Sequence, residues 1–529
     1  MFFKLNKWKI RTRRALRARI DLSISRRLEK ELCAATPGPG RDVFLFSHDV
    51  SPYSEKLYLL IAHELARRGN LCTFLFRPSW GRWKGPSLRA GTLDLGGLTR
   101  VGENVKSQTI GPRGCERSRE WVVDFESEVV CTEGINVFGV LRSSLRAYFK
   151  RYNLDYNSAE LLAVAEDMVD SCDHLFDVFF SLLDYAKAHN VHVTIVGREW
   201  AYLPNGVFQL LANTVPTSRE VEYVDIGRGY INYFGHPLMN TYATVRNLSR
   251  CPQESGLAVT KAELADFLAN ELPVNVNVSV ERALQTAVAG GESRGQPEVL
   301  QRAEQHRKDG GHVFVLLAHL FYDTLVEDSS STFPDMCAWV RETIEFFRGR
   351  DDLLLLKPHP YEIYPGHEMR EPSETLASFV QDAIGLPLPD NILLLEPRSL
   401  SLADLQPHLS CGLVWRSSAG MELAYMQTPA IIAGCPPYSA LDMEYVHSRD
   451  EYFLKIADVE TLSVSDELRQ ATAAYLYCLE HDQHLLVDCI EYRHAEGHLF
   501  VRKYFSRGKS DIQESVGPVA DKIVSQIQP

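Results

Sequence analysis

Leu353-Leu-Leu-Leu-Lys-Pro-His-Pro360 and Trp415-Arg-Ser-Ser-Ala-Gly-Met-Glu422, the second running into Thr428-Pro-Ala-Ile-Ile-Ala-Gly434, are the stretches that decide the fold of this chain. The run Leu353 to Leu356 has no polar alternation, so it reads as a strand buried on both faces, the kind found in parallel sheets. Lys357-Pro358-His359-Pro360 follows where such a strand stops, and its two prolines end the strand and stiffen the loop. Cys411 to Trp415 reads as a second short strand. Ser417-Ser418 then stands where a helix over Ala419 to Met426 begins, and Ala430 to Ala433 makes the next strand. Serines at a helix start cap it, and the same amides hold phosphate. Glu422, one turn into the helix, shares a side with Ser418 and can accept hydrogen bonds from ribose hydroxyls. Ligands of open α/β sheets bind outside the carboxyl ends of the strands, where all of these groups fall.

The pattern extends outward in both directions. After Thr36-Pro-Gly-Pro-Gly40, Asp42 to Ser47 reads as a strand, Glu55 to Arg68 as a helix and Leu71 to Phe76 as a strand, the usual opening of a doubly wound domain. The dinucleotide fingerprint G-x-G-x-x-G is missing, which weakens an NAD reading. Ser118 to Asn190 is helical in pattern, notably Ser158 to Met168 and His174 to Ala188, and reads as an insertion or covering layer. Val191 to Val196 resumes the sheet and delivers Arg198 and Glu199. Val221 to Ile226 delivers Asp225 near Gly227-Arg228-Gly229-Tyr230. Val313 to Leu317 opens a second domain, with His319 and Asp323 in the loop after it and a helix from Phe333 to Arg348. The expected organisation is a basic segment over 1–36, a first Rossmann-like domain over 37–250, a connection over 251–309, a second such domain over 310–460, and terminal helices over 461–529 packing back.

Composition bounds the function. The chain has 529 residues, too many for one ordinary core, and two α/β domains are the natural division. No apolar run approaches the roughly 18 to 20 residues of a spanning helix. Eleven cysteines without a C-x-x-C pair point to a reducing compartment and away from structural zinc. The N-terminal residues lack the apolar centre of a signal peptide, so the expected location is the cytoplasm. The net charge of −13 makes nucleic acid a poor main substrate, yet the first thirty residues are strongly basic, with Phe2, Phe3, Leu5, Trp8 and Ile10 interspersed. That segment reads as a helix on an anionic membrane surface, a solvated tail or an RNA-touching arm.

The strand, Lys-Pro-His-Pro, Ser-Ser and Glu sequence from Val313 to Tyr452 resembles the donor half of the GT-B glycosyltransferases of bacterial capsule and lipopolysaccharide synthesis, the Kdo-transferase group. It is more distantly similar to sialyltransferases with a His-Pro motif and to CDP-glycerol glycerophosphotransferases. The resemblance implies an α/β GT-B fold, two Rossmann-like doubly wound domains facing a cleft with extra helices. It also implies that His359, Ser417 and Ser418 contact the phosphate of a cytidine nucleotide and that Glu422 is the motif acid.

The expected function is therefore a metal-independent glycosyltransferase, with CMP-Kdo as a favoured donor and a surface polysaccharide or its lipid-linked form as acceptor. No cofactor beyond the nucleotide sugar is expected, and no D-x-D tripeptide is present. Lys357, His359, His319 and the Ser417-Ser418 amides are candidates for the departing phosphate. The acceptor proton needs a base, or a retaining mechanism a nucleophile, from the first domain: Asp225, Glu199 or Asp49. Arg198 and Arg228 are candidates for an acidic substrate group. The alternatives are a polyol-phosphate transferase using CDP-glycerol and a non-catalytic GT-B scaffold in an assembly complex.

Overall fold

The structure, a computed structural model, describes residues 43–47, 52–75, 117–197, 202–215, 220–228, 242–247, 259–269, 295–323, 332–363, 374–385, 387–397, 399–436, 438–478, 485–486, 490–495, 498–504 and 509–527. The basic segment 1–36 and the candidates Asp49, Arg198 and Glu199 lie outside these. In chain order the strands are β1 (Val43–Ser47), β2 (Leu71–Leu75), β3 (Val122–Asp124), β4 (Val129–Thr132), β5 (Ile135–Asn136), β6 (Val193–Gly197), β7 (Val221–Arg228) and β8 (Tyr242–Asn247). They continue with β9 (Val313–Leu317), β10 (Leu353–Lys357), β11 (Ile392–Leu394), β12 (Cys411–Val414), β13 (Ala430–Ile432), β14 (Glu444–Tyr445), β15 (Leu485–Leu486), β16 (Ile490–Ala495) and β17 (His498–Tyr504).

Two six-stranded sheets organise the molecule, giving the two-domain α/β architecture of the GT-B fold. The second has the order β11-β10-β9-β12-β13-β14, all parallel. Numbered within the sheet, that order is 3-2-1-4-5-6, the doubly wound arrangement whose direction of winding reverses between β9 and β12. Side chains alternate between two cores. Val313, Val315, Leu317, Leu353 and Leu355 enter one, whereas Phe314, Leu316, Leu354 and Leu356 enter the other. Burial on both faces explains why these strands read as unbroken apolar runs.

The first sheet has the order β15-β8-β7-β6-β1-β2. Strands β2, β1, β6 and β7 pair in parallel, and β8 and β15 add antiparallel at the edge. One face is covered by the helices Phe138–Phe149, Ala159–His189 and Asn205–Thr214, whose apolar residues share a core with Val193, Ile195, Val221 and Tyr223. The region expected to hold two helices holds one of 31 residues, about 46 Å long at the usual rise. No Gly or Pro interrupts it, and Ser171 and Asp173 midway are hydrogen-bonded in place. Ser171 Oγ donates to the Asp167 carbonyl at 2.9 Å, and Asp173 accepts from Trp121 Nε1 at 2.8 Å and Ser118 N at 2.6 Å.

The C-terminal elements divide between the halves. The helix Asp466–Cys478 packs on Ala419–Tyr425 and Lys261–Ala269, in the second half. The crossing back is made by later elements: β15 pairs with β8, and the helix Lys509–Ile527 packs on Pro52–Arg67 and β8. The expectation that both terminal helices cover the first domain is therefore corrected for Asp466–Cys478. The stretch read as a connection is also more than a linker, because Val259, Leu264, Val299 and Ala303 enter the second half's core. Helix-pattern polarity hid this: the Pro297–Lys308 helix exposes most of its surface and buries only Val299 and Ala303.

The halves meet at a short corner. Arg146 Cζ lies 4.0 Å from the centre of the Tyr152 ring, and Arg146 Nε donates to the Tyr152 carbonyl at 2.9 Å. Tyr152 in turn donates through its hydroxyl to Asp335 and through its amide to Glu374 at 2.6 Å, both residues of the second half. Among the described residues no helix is long and apolar enough to cross a membrane.

Because the helix Lys509–Ile527 completes the first half's core, Ile523→Ala should destabilise that half despite lying near the chain terminus. Ile523 is fully buried, and the expected loss is about 2–5 kcal/mol, measured as a lowered urea midpoint.

Candidate functional site

Strand register builds the site. Lys357 pairs with Leu317, Leu317 with Val414, and Val414 with Ile432, so the carboxyl ends of four adjacent strands are level. One residue further, Ala318, Trp415 and Ala433 turn back into the core. The next residues along these chains, His359, His319, Arg416 and Gly434, form a row beyond the sheet edge. The His319 and His359 ring centres are 5.0 Å apart. Gly434 N donates to the Trp415 carbonyl at 3.0 Å. A Cβ at Gly434 would press on that carbonyl and on the Arg416 side chain, which is why the row ends in glycine.

The imidazole of His319 is nearly buried. Burial pushes its pKa down, Asp323 opposes this, and the Arg416 charge pushes the same way as burial. Its Nδ1 lies 3.8 Å from Asp323 Oδ2 and has no hydrogen-bond partner among the described residues. The other oxygen of Asp323 accepts from the Tyr202 hydroxyl at 3.2 Å, and Tyr202 belongs to the first half. Tyr202, Asp323, His319 and His359 thus form a polar line from one half into the row of the other.

Lys357 is turned elsewhere. Its Nζ donates to the Leu400 carbonyl at 2.6 Å, and burial lowers its pKa against the opposing pull of Glu422 and Asp404. The ammonium therefore serves a buried contact beneath the row. Glu422 sits within its field, an internal charge partner in addition to any ligand role. Of the two basic residues at these strand ends, Arg416 is the one placed in the row.

Ser417 and Ser418 lead into the helix Ala419–Tyr425. Ser417 Oγ accepts from the Ala419 amide at 3.2 Å, and the Ser417 carbonyl accepts from the Tyr438 hydroxyl at 2.6 Å. Ser418 makes no side-chain cap bond. Tyr438 is fully buried. Tyr438 thus stands underneath the serine loop as a post. Gly420 makes room for that post, since a Cβ there would overlap the Tyr438 hydroxyl. Gly412 makes room in the same way in the layer below, admitting Leu423 against β12.

In the first half, Asp225 lies inside β7, which extends two residues beyond the strand read as Val221 to Ile226. It pairs with Gly197 at the end of β6 and with Arg246 of β8, and it is 9% exposed. Antiparallel pairing with β8 carries β7 on to Arg228, past the point where parallel pairing ends. Asp225 is consequently at the carboxyl edge of the sheet, with Arg228 three residues on. The described residues contain no group of three or more His, Cys, Asp or Glu placed to hold a metal ion.

The sequence reading assigned no role to Arg416, Tyr202 or the small residues Gly420 and Gly434. Arg416 carried a usable signal, being a cation directly after a buried strand. The others are visible only through tertiary packing.

No protein-family model and no curated protein matches this chain. Among solved structures, it is similar to the Thermosulfurimonas dismutans KpsC β-Kdo 2,7-transferase, with 12% identity over 65% of this chain and 89% of that one and a TM-score of 0.32. A putative UDP-N-acetylglucosamine 2-epimerase from Listeria monocytogenes gives 12% identity over 82% and 91%, TM-score 0.24. Acinetobacter baumannii MurG gives 12% over 92% and 99%, TM-score 0.22. At scores this low the fold assignment rests on strand order and register.

The Tyr438 post yields a test by compensation. Gly420→Ala should cost about 1–3 kcal/mol through overpacking, and adding Tyr438→Phe should return part of it by removing the overlapping hydroxyl. Thermal unfolding of the single and double variants measures both.

Proposed function

We propose that this chain is a glycosyltransferase that takes a sugar from a cytidine-nucleotide donor, with Kdo on CMP the first candidate, and passes it to a bacterial surface polysaccharide or its lipid-linked acceptor. The observation that carries the reading is the row His359, His319, Arg416 at level strand ends beside the winding reversal of an all-parallel sheet. The resemblance of the Lys-Pro-His-Pro and Ser-Ser motifs to the Kdo-transferase group supplies the donor class.

In this reading the bond between the anomeric carbon and the phosphate oxygen breaks while a bond from the acceptor hydroxyl forms. Negative charge grows on the departing phosphate, and the Arg416 guanidinium meets it as a permanent cation with paired donors. His319, held neutral by burial, donates through one ring nitrogen without bringing a charge that would need its own partner. His359 and the Ser417 loop complete the cradle, and no metal is assigned a role. The acceptor proton passes to a first-half carboxylate, with Asp225 the candidate described and Glu199 and Asp49 the others. The basic segment before Thr36 would hold the enzyme at the cytoplasmic face of a membrane, close to a lipid-linked acceptor.

Titration of the full chain with CMP, CDP, UDP and GDP tests the donor class. CMP or CDP should bind best, and Arg416→Ala should weaken that binding about tenfold or more, the scale of a charge-assisted hydrogen bond. A preference for UDP or GDP overturns the cytidine assignment. CDP favoured well over CMP, with turnover of CDP-glycerol, supports polyol-phosphate transfer. Polymer synthesis that survives both Arg416→Ala and His359→Ala supports a scaffold.

A further inference from the structure

Glu362 lies in the single 3-10 turn Pro360–Ile363 that follows His359 and is 6% exposed. Its amide donates to the His359 carbonyl at 3.0 Å, closing the turn. Both of its carboxylate oxygens lie 3.2 Å from the amide of Leu376, the first residue of the helix Leu376–Ala383. That helix has a capping box: Thr375 Oγ1 accepts from the Ser378 amide at 3.1 Å, and Ser378 Oγ accepts from the Thr375 amide at 2.8 Å. The buried Leu376 amide lies outside the box, and Glu362 supplies its acceptor. An apolar side chain would leave that amide unpaired, whereas a glutamine would accept from it without the cost of a buried charge, so what the acid adds beyond capping is its charge.

What the carboxylate does is connect. On one side it holds the turn that presents His359. On the other it holds a helix whose preceding residue, Glu374, accepts from the Tyr152 and Asn153 amides of the first half. We propose that Glu362 is a positioning residue that fixes His359 relative to the contact between the halves, so that ligand held by His359 is sensitive to the ionised state of Glu362. The inference rests on reading the His359 row as a nucleotide site.

The groups around Glu362 define how it titrates. Tyr322 faces it from the loop after β9 and stands beside Asp323, and Lys150 of the first half lies 4.5 Å from the centre of the Tyr322 ring. Burial raises the Glu362 carboxyl to about 7, while the bonds from the Leu376 and His359 backbone pull it down. Two opposite pH trends follow. Because the folded value lies above the unfolded one, the native state binds the extra proton, and stability falls as pH rises from the unfolded value through about 7. Positioning improves over the same interval, because the carboxylate is the stronger acceptor for the Leu376 amide.

Glu362→Gln keeps the shape and removes the charge. Calorimetric titration of CMP into the full chain should find wild type and variant alike near pH 6 and the variant about tenfold weaker near pH 8. The variant should also have the higher melting temperature near pH 8. Equal CMP affinity near pH 8 together with that gain in melting temperature would make Glu362 a purely structural residue and overturn the proposal. If wild type binds none of CMP, CDP, UDP or GDP, the nucleotide reading fails, and the histidine Cε1–H resonance of His359 decides the positioning role. A step in that resonance near pH 7 that Glu362→Gln abolishes supports the role, and an identical titration in both proteins refutes it.

Discussion

Parallel pairing of β10, β9, β12 and β13 in level register is the constraint on which the rest of the second half depends. A parallel sheet covered on both faces keeps the middle of its strands apolar, so chemistry gathers at and just past their carboxyl ends. Level ends then bring His359, His319, Arg416 and Gly434 together although they are far apart in the chain. A slip of one residue in any pairing would send Ala318 or Trp415 out of the core and a row residue into it. The site is thus as well defined as the core is well packed. Its position needs no loop to be ordered by a ligand.

Burial also arranges the charge around that row. Lys357 lies one layer under it and is occupied by the Leu400 carbonyl and the fields of Glu422 and Asp404. A buried ammonium without such partners would not remain charged. Arg416 keeps its charge regardless of setting, and its presence helps keep His319 neutral. The row therefore offers one permanent cation and an uncharged donor, a combination suited to a phosphate whose charge grows during a reaction. Ser417 is held from below by Tyr438, so the loop geometry is set by a buried hydroxyl and by the missing Cβ of Gly420.

The strands of the second sheet that carry the motifs were legible because unbroken apolar runs bounded by Pro, Gly and Ser have few other readings. Val313 to Leu317 coincides with β9, and Leu353 to Leu356 falls one residue short of β10. The two-residue β14 gives no such run, whereas β11 lies in the apolar run Ile392 to Leu395 between Pro389 and Pro397, which the sequence reading left unassigned. Edge strands β8 and β15 were also missed, because their pairing is antiparallel and one partner comes from far along the chain. The site was legible in kind but not in detail. A strand-end lysine and a strand-end arginine look equivalent in sequence, and only the alternation of faces sends Lys357 under the sheet edge. The strand read as Val221 to Ile226 runs on to Arg228, because nothing local announces that β7 outlasts its parallel neighbour.

The connection between the halves has a different physical character from the row. Tyr152 is gripped by Asp335 and Glu374, Tyr202 reaches Asp323, and Lys150 lies over the Tyr322 ring, so first-half donors meet second-half acceptors. Such contacts are directional, unlike the apolar packing of either core. Asp335 also caps the helix Met336–Phe347 through its other oxygen, accepting from the Ala338 amide at 2.7 Å. Loss of Tyr152 would leave that cap intact and loosen only the corner. Asp323 likewise stands between Tyr202 and His319, with its second oxygen still 3.8 Å from the imidazole.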